Sequence, residues 1–185
     1  MDVKRTLFSF NGRLRRRDWW LWSIGMALIQ NQAIRVTDTV LLGPDADLRV
    51  GNYLNWFLGM EPLTGLHWTG LAFGLVFLWP ALALTLKRAH DRNRRGRELV
   101  AIQLAATAGL FLPADVFETA GRAFDAADYV AAAPALLYGL AMLIGSLYQL
   151  VVLGFLDGTE GPNRFGRSPK GIGGDPADKA AEVVS

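Results

Sequence analysis

The residues able to do chemistry in this chain are few, and most of them are arginines. His90 and Asp91 stand side by side in the run Lys87-Arg88-Ala89-His90-Asp91-Arg92-Asn93-Arg94-Arg95-Gly96. Arg13 and Arg16 lie in a second basic run, and Asn163 and Arg164 belong to a glycine-rich stretch near the C-terminus. Guanidinium groups grip phosphate oxygens in bidentate pairs, so such a set suits an anionic headgroup or an anionic partner. A His–Asp pair is also a possible general base. Sequence neighbours on a helix do not face each other, however, and no activated nucleophile accompanies this pair, so no catalytic residue is assigned. The absence of cysteine removes disulfides, thiolate nucleophiles and cysteine-ligated metals. The two histidines, His67 and His90, fall at opposite ends of an apolar run. No metal site and no cofactor is expected.

The elements that carry these residues are apolar blocks with the charges gathered between them. Hydrophobic residues make up 51% of the 185, yet Leu66 to Leu86 holds no Asp, Glu, Lys or Arg at all. At about 1.5 Å per residue its 21 residues reach roughly 30 Å, the thickness of a bilayer's hydrocarbon core. Tyr129 to Leu156 is a second uncharged run. The expected fold is all-α: a polytopic membrane protein with four transmembrane helices over about 19–37, 66–86, 98–112 and 134–156. A basic interfacial arm, 1–18, precedes them. Residues 157–169 read as ordered Gly/Pro/Asn turns and 170–185 as a disordered tail. Short interfacial helices are expected around Tyr53–Met60 and over 114–128, and Lys87–Arg97 reads as a basic loop. Pro134 marks a possible start of the fourth span, and Gly70 and Gly74 form a GxxxG that allows close helix approach.

Charge distribution sets the direction. The N-terminal arm, the 87–97 run and the C-terminal segment hold sixteen Lys and Arg; the two intervening connections hold only Arg49 and Arg122. Under the positive-inside rule this puts both termini and the basic loop in the cytoplasm, with the protein in a bacterial inner membrane. Several polar residues fall at membrane depth: Gln30, Asn31, Gln32 and Arg35 in the first span, Gln103 in the third and Gln149 in the fourth. Asn31, Arg35 and Asp38 share one helical face. Arg35 either snorkels to headgroups and pairs with Asp38, or belongs to a polar face lining a cavity.

Three segments meet at the cytoplasmic ends of these spans: Gly12-Arg13-Leu14-Arg15-Arg16-Arg17-Asp18-Trp19-Trp20, Lys87-Arg88-Ala89-His90-Asp91 with Arg95-Gly96, and Gly158-Thr159-Glu160-Gly161-Pro162-Asn163-Arg164-Phe165-Gly166 to Pro169. In this order they resemble the domain of unknown function 805 family of small bacterial inner-membrane proteins, over about residues 8–169. Ala89 stands where that family has Leu, and Arg95-Gly96-Arg97 replaces its Ser-Gly-Trp. The resemblance implies fold and location and no activity. Arg13, Arg16, Arg88, His90, Asp91, Asn163 and Arg164 are expected to form one cytoplasmic cluster. One reading is structural, with the motifs tying helix ends together. The other is binding of anionic phospholipid or a membrane-protein partner, a second copy included. Nucleic acid is not expected, because each basic run abuts a span and anionic lipid accounts for it. The leading function is a non-enzymatic integral membrane protein acting through this cluster. The alternative is a small oligomeric transporter or channel that uses the polar residues within the spans.

Overall fold

The computed structural model describes residues 2–42, 68–108 and 126–171. These form five α-helices: α1, Val3–Phe8; α2, Arg16–Leu42; α3, Trp68–Asp91; α4, Arg97–Ala108; and α5, Ala126–Gln149. The last continues into a π-helical segment, Leu150–Phe155. Among the described residues there is no strand, and the one β-bridge joins Asn163 to Gly166. The expected interfacial helix around Tyr53–Met60 lies outside the described residues, as do 109–112 of the third expected span, 114–125 of the expected 114–128 helix and 172–185 of the expected tail; 126–128 belong to α5.

Two helical stretches, Thr69–Asp91 and Leu136–Phe155, are long and apolar enough to cross a membrane. Within an apolar run of 18 residues in each, only 28% and 22%, respectively, is buried inside the molecule, whereas the core helix of a soluble protein is mostly buried. Along α5 the exposed residues Leu137, Leu140, Ile144 and Leu147 make one stripe; along α2, Leu21, Ile24 and Leu28 make another.

Several boundaries differ from those read in the sequence. α2 runs to Leu42 rather than Thr37, because no breaker occurs before Gly43-Pro44. Pro134 lies inside α5 rather than at its start, since the alanine-rich turns before it favour helix. The largest correction concerns the basic loop: Lys87–Asp91 is the last turn of α3, and only 92–96 is a connection. The helix ends there because Asn93 takes a left-handed conformation, φ 58°. Arg94 N–H then bonds back to Ala89 O at 2.9 Å and Asn93 N–H to His90 O at 2.9 Å, the paired bonds of a Schellman cap.

The chain divides into two compact units. One comprises residues 1–23, 79–100 and 150–185; the other comprises 24–78 and 101–149. The first buries Leu14, Trp19, Ala83, Leu84, Ala89, Leu99 and Leu153. Two glycines set its close approaches. Gly154 lies against the indoles, where a Cβ would come 2.7 Å from Trp20 Cζ2. Gly96, at φ 69°, packs on Ala89 so that a Cβ would meet the alanine methyl at 2.7 Å. Position 89 is thus small because the connection folds directly over it. In the second unit, Tyr138 donates to Ala105 O at 2.9 Å, and Gly145 lets Ile102 approach α5.

Candidate functional site

The first unit carries fifteen Lys and Arg against six Asp and Glu among its described residues. At its centre is Asp91. Being in the last turn of α3, it lies one turn beyond Arg88, and the two pair at i, i+3: Arg88 Nη1 donates to Asp91 Oδ2 at 2.5 Å. Arg13, just ahead of α2, donates from Nε to the other oxygen, Oδ1, at 3.1 Å, with its Nη2 3.0 Å away. The side chains of Arg13, Arg88 and Asp91 are 1%, 0% and 5% exposed. A carboxylate bridging two guanidinium groups is thus buried, with one positive charge in excess.

Both guanidinium groups also donate to backbone carbonyls. Arg13 donates from Nη1 to Gly161 O at 2.6 Å and from Nη2 to Thr159 O at 2.6 Å, which pins the C-terminal turn. Arg88 donates from Nε to Leu153 O at 2.8 Å and from Nη2 to Leu156 O. Those carbonyls are reachable because the chain there is π-helical; Leu156 N–H bonds to Val151 O, five residues back. Five consecutive carbonyls, Val152 to Leu156, each accept a side-chain donor: Arg92, Arg88, Trp20, Arg16 and again Arg88. The negative end of a helix is thereby closed by cations and an indole supplied by α2, α3 and the connection that follows α3.

The turn over 157–171 is locked from the other side. Thr159 N–H and Oγ1–H both donate to Asp91 O, at 2.8 and 2.9 Å. Asn163 Nδ2 donates to His90 O at 2.9 Å, and its Oδ1 accepts from Phe165 N–H. Phe165 then stacks on the His90 ring, centroids 4.0 Å apart and 10° from parallel. His90 Nδ1 lies 3.3 Å from Gly12 O. Arg164 donates to Asn93 O at 2.8 Å and covers the Phe165 ring at 4.7 Å. Gly158 is required by space, because a Cβ there would fall 1.9 Å from Asp91 Oδ2.

All seven residues that were expected from the sequence to cluster lie in this unit. Arg13, Arg88 and Asp91 are its interior, and Asn163 is half-buried. His90 is half-buried, and Arg16 and Arg164 are at its exposed edge, Arg16 facing Asp157 at 3.3 Å. The arrangement gathers helix ends and donates to backbone, and each Asp91 oxygen accepts from an arginine. Sequence reasoning missed Lys87 and Thr159. Lys87 is buried and donates from Nζ to Arg5 O and Thr6 O at 2.5 and 2.7 Å. Thr159 sat inside the third motif, at a position that motif leaves free.

The polar residues of the second unit do not share one environment. Asp38 is buried and accepts from Thr69 Oγ1 at 2.5 Å, Gln149 is buried, and Gln30, Asn31 and Gln103 are half-buried. Arg35 is exposed, as is Gln32. The face shared by Asn31, Arg35 and Asp38 is therefore divided: Asp38 turns to protein and Arg35 away from it.

A family described as "Protein of unknown function (DUF805)" matches residues 7–167. The "Uncharacterized protein YiiR" of Escherichia coli (strain K12) is 32% identical over 183 residues, which covers 93% of this chain and 93% of its own. The protein of the same description in Escherichia coli O157:H7 matches to the same extent. No solved structure matches.

Proposed function

The chain belongs to the DUF805 family, and on that premise we propose that it is a four-span protein of the bacterial inner membrane, with both termini cytoplasmic. It is non-enzymatic. Its buried Arg13–Asp91–Arg88 cluster ties the cytoplasmic helix ends together, and the exposed basic side chains around that cluster meet anionic headgroups or a membrane partner.

One observation carries the topology. Arg13, Asp91 and Thr159 are bonded to one another, so the chain is on the same side of the membrane at all three. Asp91 closes one apolar stretch and Phe155 closes the other. Two spans that end on one side both begin on the opposite side. That arrangement supports one further crossing between Arg16 and Thr69 and another between Asp91 and Leu136. α2, with 27 residues and about 40 Å of length, suits the first crossing. α4 opens the second. The sixteen-to-two distribution of Lys and Arg gives the same sidedness from independent grounds.

The exposed apolar stripes of α2 and α5 favour lipid as their surroundings. The commitment of Asp91 to two arginines and the packing of His90 against Phe165 support a non-catalytic role. Reporter fusions after residues 50, 92, 120 and 185 test the topology, and should read out, in, out, in. A periplasmic signal at residue 92 would overturn it.

A further inference from the structure

The N-terminal arm is held along α3 in a way the central cluster does not require. α1 is only six residues, capped by Asp2, whose carboxylate accepts from Lys4 N–H at 3.0 Å. Its last carbonyls, Arg5 O and Thr6 O, take the Nζ hydrogens of Lys87, a buried ammonium with no carboxylate bonded to it among the described residues. Leu14 N–H bonds to Lys87 O at 3.2 Å. Between these two anchors the chain reaches Phe10, whose ring packs on Trp79 with centroids 4.8 Å apart. Trp79 is eight residues before Lys87, so the arm descends about 12 Å along the helix before returning. Trp79 and Phe8 are both exposed apolar surface, as is Val3, while Lys4 and Arg5 are exposed cations. Neither cation forms an ion pair with a carboxylate among the described residues. Arg5 also sits close enough to Lys87 for their like charges to interact.

We propose that residues 2–10 form an interfacial foot that inserts Val3, Phe8 and Phe10 into the cytoplasmic leaflet and binds the phosphates of anionic phospholipid through Lys4 and Arg5. The inference rests on the membrane reading above and adds a specific contact to it. The occupant is lipid because the surface is continuous with α3, a spanning stretch, and pairs exposed apolar side chains with cations that make no ion pair among the described residues. The depth reached by Phe10 is that of the acyl chains beside the headgroups, where an aromatic ring is at home and water is scarce. Each basic side chain near an anionic leaflet raises its binding by roughly fivefold.

The chain has no cysteine, so single labels can be placed at will. Spin labels at Phe8→Cys, Leu28→Cys, Ile144→Cys and Arg15→Cys are read in nanodiscs of phosphatidylcholine with and without phosphatidylglycerol. Accessibility is measured to oxygen, which partitions into lipid, and to a water-soluble nickel chelate. The expected result is oxygen accessibility at positions 8, 28 and 144 and nickel accessibility at 15. Native mass spectrometry of the retained lipid should then show phosphatidylglycerol enrichment falling roughly twentyfold or more in the Lys4→Gln/Arg5→Gln double variant. Nickel accessibility at position 8, with 28 and 144 in lipid, would overturn the foot and leave the membrane reading standing. Nickel accessibility at 28 and 144 would overturn the membrane reading itself. Unchanged phosphatidylglycerol enrichment in the double variant would refute the phosphate contact.

Discussion

Replacing Asp91 by Asn keeps the side chain's shape and removes the one negative charge between two buried guanidinium groups. Arg13 and Arg88 would then face each other's charge, with their side chains 1% and 0% exposed. An amide also offers a donor where Arg88 Nη1 now finds an acceptor at 2.5 Å. Removing one partner of a buried ion pair costs about 3–5 kcal/mol, because the charge left behind has no water to turn to. For a chain of this length, each kcal/mol moves the melting temperature by about 2–4 °C. Asp91→Asn should therefore melt roughly 6–20 °C below the parent protein. The comparison is Arg95→Gln, at an exposed position with no ion pair among the described residues, where a change within about 0.5 kcal/mol is expected. Both are measured by thermal unfolding in the same nanodiscs. A second arm tests the cause rather than the size: Arg13→Met in the Asp91→Asn background should cost much less than the sum of the two single changes, because it removes one of the stranded charges. Asp91→Asn melting within about 2 °C of Arg95→Gln would refute the claim that this carboxylate organises the cluster.

Gly158→Ala should destabilise about as strongly as Asp91→Asn, since the new methyl would occupy the space of Asp91 Oδ2; proteolysis of the C-terminal turn reads this out, and a turn as resistant as the parent's would contradict the packing. Arg35→Leu should leave the melting temperature unchanged, while Asp38→Ala costs about 1–3 kcal/mol of stability for the orphaned Thr69 hydroxyl, a fall of roughly 2–12 °C; equal effects would mean the division of that helical face is wrong.

Much of the candidate site was readable because its side chains are distinctive. An arginine, an aspartate and an asparagine at fixed offsets from glycines and aromatics stand out, and these are the residues that bond across the first unit. The family resemblance rested on the same positions. What could not be read is backbone. Nothing in Leu150-Val151-Val152-Leu153-Gly154-Phe155 announces that the helix widens there, and the acceptors that matter in it are carbonyls, which every residue has. The helical state of Lys87–Asp91 was obscured by the density of charge, although no proline or glycine interrupts it; the cap depends on a left-handed asparagine, a conformation that glycine more often supplies. Ala89 looked like a departure from the family pattern, and its small size becomes intelligible only once Gly96 is seen folded on it. Lys87 was counted as a mark of orientation, when its ammonium spends two hydrogens on α1.

The bonds that Arg13 makes to the C-terminal turn span 148 residues of chain. On a ribosome adding about 5–20 residues per second, Arg13 emerges roughly 7–30 s before Gly161 exists to accept from it. Asp91 follows Arg13 by 78 residues, and from then until the C-terminal turn is made the cluster holds only Arg13, Arg88 and Asp91. A chain cut short before residue 159 never closes it. The 157–171 turn is thus a seal applied late, and a copy truncated before it leaves Arg13 without the Thr159 and Gly161 carbonyls.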